Sequence, residues 1–399
     1  MEIERKLVTV RMVTFVEPIE GADRIECAHV DGWTTVVNKG VFTPNQLGVF
    51  FEPDAFLPDG DERWQFLVDK SSNTFNGVKG HKLRTIRLKK VYSNGLLLPV
   101  GLFPEIQAKV KELNGAWEDV SFDAVLGIVK YDPPPARNSG GANLAGATKG
   151  NFPDFIPKTD SNRAQNLVRS IFDYEPRVSM YTDGDGNPIV ATRAPDNTAE
   201  TLYEVTLKVD GSSSTHYHMN GVVGTCSRNL DLKLDDEDSN NAFVKMFKKL
   251  NLDTHLPKFG NIAIQGELFG GGPLGNLNDN NEKIDYHAFA MFNVWFPDEQ
   301  RYAKPAERYV IFETLREYIR ETFPEVDKYF MHAPILHKAV TLKELGITNI
   351  AELLLFADGP SFNPQVKREG LVFKRITDDP KDDYNFKAIS ESWLAKKKS

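Results

Sequence analysis

The stretch Glu204–Asn220, EVTLKVDGSSSTHYHMN, decides how the chain is read. Val205, Leu207 and Val209 alternate with Thr206 and Lys208, which is the period of a β-strand. Gly211, directly after Asp210, is expected to let the backbone turn sharply and come close to a ligand. Lys208 should therefore project from a rigid strand into the cavity that strand lines. Taken alone, Lys-Val-Asp-Gly also fits an ordinary strand end with a solvated lysine, so its meaning depends on its context.

The chain has 399 residues, room for two or three domains. A hydrophobic content of 41% and a charged content of 26% suit a soluble globular protein. No apolar run reaches the ~20 residues of a membrane helix. The first residues, MEIERKLVTV, lack the pattern of a signal peptide. The two cysteines, Cys27 and Cys226, lie far apart and neither has metal-ligand company in the sequence. A reduced, cytoplasmic protein is the expectation. The net charge of −8 is not the global footprint of a nucleic-acid binder. Basic residues do cluster, in KGHKLRTIRLKK (79–90) and in Lys396, Lys397 and Lys398. Such runs fit either a local binding groove or a solvated face.

Residues 1–130 read as one β-rich domain. Short alternating runs at Leu7–Phe15, Glu26–Val30, Thr34–Val37, Gly48–Phe51 and Leu83–Leu88 are separated by turn residues, which suggests a small barrel. Residues 131–150, YDPPPARNSGGANLAGATKG, read as an exposed, mobile linker, stiff at its prolines and loose after them. Residues 151–399 form the second domain. A short helix is expected over Asn162–Val168, capped by Thr159 or Asp160. Further helices are expected at Ala242–Leu250, Arg308–Phe323 and Leu342–Phe356. Strands are expected at Ile262–Phe269, Tyr286–Phe296, Glu369–Ile376 and Tyr384–Ile389.

In the first domain, Gly21–Ile25 (GADRI), Val30–Trp33 (VDGW), Thr35–Val37 (TVV) and Thr85–Leu96 (TIRLKKVYSNGL) resemble the tRNA-binding OB-type module appended to some aminoacyl-tRNA synthetases. The resemblance implies a barrel that offers aromatic and basic side chains to nucleic acid, by stacking and phosphate contact. A barrel that only caps the second domain is the alternative.

In the second domain, four stretches follow the lysine strand. They are Thr225–Asn229 (TCSRN), Ile264–Leu268 (IQGEL), His287–Val294 (HAFAMFNV), and the pair Arg368–Lys374 (REGLVFK) and Asn385–Ser390 (NFKAIS). Their order resembles the motifs of the covalent nucleotidyltransferases, the polynucleotide ligases and mRNA capping enzymes, over residues 150–399. Lys208-Val209-Asp210-Gly211 resembles the first motif, Glu267 the third, Glu369-Gly370-Leu371-Val372 the fourth and Lys387 the fifth. An OB-like domain in front, and only twelve residues after Lys387, is similar to the fifth family of polynucleotide RNA ligases. So are Phe155–Asp160 (FIPKTD) and Phe386–Ser390 (FKAIS). The implied fold is α+β: an N-terminal OB-like β-barrel, then a DNA-ligase-type, ATP-grasp-like nucleotidyltransferase domain with antiparallel sheets and flanking helices.

The resemblance implies ATP-dependent sealing of 3′-hydroxyl and 5′-phosphate RNA ends, as in RNA repair, by a cytoplasmic monomer using ATP with Mg²⁺ or Mn²⁺. Lys208 would attack the α-phosphate and carry AMP. A lysine is nucleophilic only when neutral and ordinarily titrates near 10.4, so it needs burial or nearby positive charge. Lys387, Lys374, Arg228 and a bound cation are the expected sources. Lys387 would contact the α-phosphate, Arg228 would pair with a phosphate, and Asp210 belongs to the lysine motif. Glu369, with Glu267, would hold the metal. Glu267 would also accept from ribose hydroxyls. Phe289 or Phe292 would stack on the purine. One departure stands out: many ligases have Lys-X-Lys in the fifth motif, and here the second position is Ile389. A DNA or mixed-substrate ligase, a GTP-dependent guanylyltransferase and an RNA-binding protein with an inactive transferase domain are the rival readings.

Overall fold

The computed structural model describes residues 5–67, 72–131, 148–182, 188–235, 241–272, 275–276 and 282–396. Most of the expected linker (132–147), and Lys397 and Lys398, lie outside the described residues. The chain divides into two compact units.

The first unit is built on an antiparallel sheet in the order Leu96–Pro99, Leu47–Phe51, Val8–Pro18, Ile25–Val30, Trp33–Asn38. The long strand Val8–Pro18 serves two partners. Its first half pairs with Leu47–Phe51 and its second half with Ile25–Val30. The register shifts between Val13 and Phe15, and such a bulge bends a strand and helps a sheet curl. Val8, Val10, Val49, Phe51 and Phe103 fill the interior. A second sheet orders Val129–Lys130, Ala55–Pro58, Val78–Lys82 and Ser72–Phe75.

This unit also contains Ala164–Val168 and Glu391–Ser399, contributed from far along the chain. Asn166 Oδ1 accepts from Trp33 Nε1 at 2.8 Å and from Arg11 Nη2 at 2.9 Å, while its Nδ2 donates to Glu52 at 2.7 Å. Gly32 N–H donates to the Gln165 carbonyl. A Cβ on Gly32 would lie 2.6 Å from Val168 Cγ2, so that contact requires glycine. Asn94 Nδ2 donates to Glu391 Oε1 at 2.8 Å.

The second unit holds two larger sheets. One runs Thr148–Asn151, Leu230–Leu232, Val222–Cys226, Ser212–Met219, Ile262–Phe269, Ala288–Phe296, Arg301–Tyr302, with Phe330–His332 added parallel to Ala288–Phe296. The other runs Asn162–Arg163, Asn385–Ile389, Gly370–Arg375, Tyr203–Lys208, Ile335–Val340. Helices Ala242–Lys249 and Pro305–Thr322 pack Met246, Phe247, Phe312 and Leu315 into a core with Ile264, Leu268 and Met291. Asn241 caps the first of them by accepting from the Phe243 N–H. Among the described residues no helix is long and apolar enough to cross a membrane.

Two expected helices need correction. Asn162–Arg163 is a strand, parallel to Phe386–Lys387; Ala164–Asn166 makes one 3-10 turn, and the α-helix begins only at Val168. Neither proposed cap is available: Thr159 bonds Ser213, and Asp160 pairs with Arg228. The helix expected over Leu342–Phe356 is confined to Ile350–Ala357. Asn349 starts it by accepting from Glu352 N–H, and Gly346, with φ +69°, breaks the chain before it.

Candidate active site

Cross-strand neighbours share a face of a sheet. Lys208 pairs with Gly370 and Glu204 with Lys374 on one side, and Val372 with Lys387 on the next. The register therefore sets Lys208, Lys374 and Lys387 on one face of the five-stranded sheet. Val205, Leu207, Leu371, Phe373 and Phe386 occupy the other face, all buried. Ile389 lies in the same row as Lys208, buried beside Gly370, where a Lys-X-Lys motif would carry its second amine.

Lys208 Nζ is 2.6 Å from Glu369 Oε2. Burial alone would lower its pKa, but Glu369, Glu267 and Asp210 more than reverse this, and the net direction is up. The amine is thus held as an ammonium. This corrects the expectation that Lys387, Lys374 and Arg228 would surround and activate it: its electrostatic neighbours are carboxylates.

The turn after Lys208 packs on the strand Ile262–Phe269. A Cβ on Gly211 would stand 2.4 Å from the Leu268 carbonyl oxygen and 2.9 Å from Glu267 Cγ. Glycine is needed there for strand-to-strand approach, not for a sharp turn at a ligand. The approach brings Glu267 toward Lys208. Burial, with Glu369 and Asp210 adding to it and Lys208 opposing, pushes the Glu267 carboxyl up to about 8. Three carboxylates crowd one ammonium, and one of them is held in its acid form. That donor set, all hard oxygens with too much negative charge to ionise together, fits a divalent cation such as Mg²⁺ or Mn²⁺.

Of the two aromatic candidates, Phe289 is corrected. It is 0% exposed, and its ring stacks on Phe330 and meets His216 edge-on inside the core. The strand Ala288–Phe296 has a register shift against Ile262–Phe269: Gly266 faces Met291 and Gln265 faces Asn293, leaving Phe292 as the extra residue. Phe292 is half-buried, and Lys374 Nζ lies 5.8 Å from its ring centroid.

Lys374 donates to the Phe292 carbonyl and to Asn293 Oδ1, each at 2.5 Å. Burial and the nearby Arg308 hold its pKa well below the usual lysine value, against the pull of Glu204. Sequence reading missed this lower layer. Arg308 Nη2 donates to Glu204 Oε1 at 2.6 Å, Tyr309 also donates to Glu204, and Arg308 Nε donates to His332. The one sequence signal for it was Arg308, at helical spacing with the core residues Phe312, Leu315 and Ile319.

Arg228 Nη2 donates to both Asp160 oxygens at 3.0 Å. With Lys158, Ser213 and Thr215 they line a small cleft. Ser213 is the cross-strand partner of Glu267, so the cleft adjoins the carboxylate cluster.

A model of the RNA ligase family matches residues 201–389, and a model of an OB-fold domain matches residues 7–100. The chain is 34% identical to an RNA ligase of Naegleria gruberi across 99% of both chains, with a TM-score of 0.78. It belongs to the RNA ligase family. Other structures of the Naegleria ligase match this ligase equally well. A glutamate-to-alanine variant with AMP and Mn is 35% identical, covering 98% of this chain and 99% of that one, at TM-score 0.78. A lysine-to-alanine variant with ATP and Mn is 34% identical, with the same coverage and TM-score. No curated protein matches. The OB-fold match falls on the curled sheet of the first unit, and the ligase match spans the strands of Lys208, Glu267, Glu369 and Lys387.

Proposed function

We propose that this ligase uses ATP to join RNA ends bearing a 3′-hydroxyl and a 5′-phosphate, carrying AMP on Lys208. The observation that supports this most is the Lys208–Glu369 pair beside Glu267 and Asp210, on the face that also bears Lys387. A divalent cation held by Glu369 and Glu267 would offset their charge, lowering the Lys208 pKa, and would neutralise charge on the phosphates.

Lys208 sheds a proton, for which Glu369 at 2.6 Å is the nearest acceptor. Its Nζ then bonds the α-phosphorus while the bond to the β-phosphate oxygen breaks, releasing pyrophosphate. The 5′-phosphate of the RNA next takes AMP from Nζ, and the 3′-hydroxyl displaces AMP to form the phosphodiester. Lys387 would stabilise charge on the transferring phosphoryl group. Arg228 and Lys158, in the adjoining cleft, would meet outlying phosphates. Phe292 would stack on the adenine, with Glu267 accepting from the ribose.

The test is incubation with α-³²P-labelled ATP or GTP and Mg²⁺ or Mn²⁺, followed by a denaturing gel, then sealing of nicks ending in a 3′-ribonucleotide or a 3′-deoxynucleotide. Label from ATP only, with faster sealing of the ribonucleotide end, is expected. Label from GTP would overturn the choice of nucleotide, and equal sealing would overturn the choice of RNA.

A further inference from the structure

The curled sheet of the first unit carries a cluster that the ligase reaction does not use. Glu17 on the strand Val8–Pro18 sits opposite Cys27 on Ile25–Val30, and Phe15 sits opposite His29. All four side chains share one face of the pair. The Glu17 carboxylate, the Cys27 Sγ and a His29 ring nitrogen lie within 4.8 Å of one another. His29 Nε2 is 2.9 Å from Glu17 Oε1. The Phe15 ring lies flat on the imidazole, 3.8 Å between centroids and 13° between planes, and so fixes its orientation.

The access is graded. Cys27 is a free thiol, 1% exposed, His29 is half-buried and Glu17 is exposed. An ion can therefore arrive from solvent at the carboxylate and settle against the sulfur. Sequence spacing gave Cys27 no metal-ligand company, because Glu17 reaches it only through strand pairing. A reactive thiol is the rival reading. It is disfavoured because Cys27 is only 1% exposed, out of reach of a bulky electrophile or partner thiol.

We propose that Glu17, Cys27 and His29 form a binding site for a borderline divalent ion of the zinc class. One sulfur, one imidazole nitrogen and one carboxylate oxygen are the ligands such an ion takes, and three of them leave a fourth tetrahedral position for solvent. The hard-oxygen cluster around Lys208 suits Mg²⁺ or Mn²⁺ instead, so the two sites select different metals. The ion would tie Val8–Pro18 to Ile25–Val30 beyond the bulge at Val13–Phe15.

The test uses the full-length protein, stripped of metal and titrated with Co²⁺. The expected result is a thiolate-to-cobalt charge-transfer band with the strong visible bands of tetrahedral Co²⁺, saturating at one ion per chain and displaced by Zn²⁺. Cys27→Ser should abolish the charge-transfer band, and Cys226→Ser should leave it. His29→Ala and Glu17→Gln, closer to the surface and so safer for folding, should each weaken Co²⁺ binding at least ~10-fold, the scale on which even outer-shell partners act. Cobalt taken up by the carboxylates near Lys208 gives no thiolate band and is told apart at once. Absence of that band in the parent protein, or its survival in folded Cys27→Ser, overturns the site.

Discussion

Lys208 and Lys374 stand on the same face of one sheet, four residue pairings apart on neighbouring strands, and both are packed in by protein. Their pKa values move in opposite directions. Lys208 faces Glu369, Glu267 and Asp210 and is pushed up. Lys374 faces a carbonyl, an amide and the charge of Arg308 and is pushed down, with Glu204 already engaged by Arg308 and Tyr309. Burial treats both alike, so the partners decide. The amine proposed as the nucleophile is stored as an ammonium, while the amine held toward neutrality is a hydrogen-bond donor to the Phe292 carbonyl. Reactivity at Lys208 has to be released by what binds beside it.

The largest expected effect breaks the pair at its reactive end. Lys208→Met should abolish label transfer from ATP, by at least ~10⁴-fold, as loss of a covalent nucleophile does. Next comes Glu369→Gln, which removes the nearest carboxylate and a proposed metal ligand. Adenylylation should fall by on the order of 10²–10³-fold in a single-turnover assay, the scale of losing one charge-stabilising group. A Glu369→Gln protein as active as the parent would mean that the ion pair is only a resting contact.

Lys374→Met sharpens the contrast from the other side. It leaves the Phe292 carbonyl and Asn293 without this donor, so denaturant unfolding should show a loss of about 1–3 kcal/mol. ATP affinity should weaken more than the chemical step. The last effect concerns pH, and it vanishes in acid. In the folded protein Glu267 keeps its proton up to about pH 8, against an ordinary value of 4.5. Folding is therefore opposed increasingly as pH rises through that window, and fully above it. Glu267→Gln should match the parent below pH 4.5 and exceed it by up to roughly 5 kcal/mol above pH 8. A constant difference across pH would show that the carboxyl is not held protonated.

The strands bearing Lys208, Glu267 and Lys387, and the strand that follows Glu369, were legible because each is a short, mostly apolar run punctuated by charge, and that pattern survives without tertiary knowledge. The aromatic partner was not. One extra residue at Phe292 inverts the register, and a bulge leaves no mark in hydrophobic periodicity. The segment Asn162–Arg163 read as helix because its extended form is dictated by a strand more than two hundred residues later. The charge state of Lys374 was hidden for a similar reason, since it depends on Arg308 in a helix that reads only as packing. Cys27 looked solitary because Glu17, which completes the cluster with His29, is its neighbour across a hairpin, ten positions upstream.

The first unit is assembled from three separate tracts of the polypeptide. Cutting the gene within 131–150 would therefore free neither half whole. A piece ending at 130 would lack the Asn166 amide that meets Trp33, Arg11 and Glu52, and the Glu391 carboxylate that meets Asn94. A piece starting at 150 would keep those two strips with no barrel to receive them. Co-expressing the halves, rather than purifying either one, is the dissection this architecture permits.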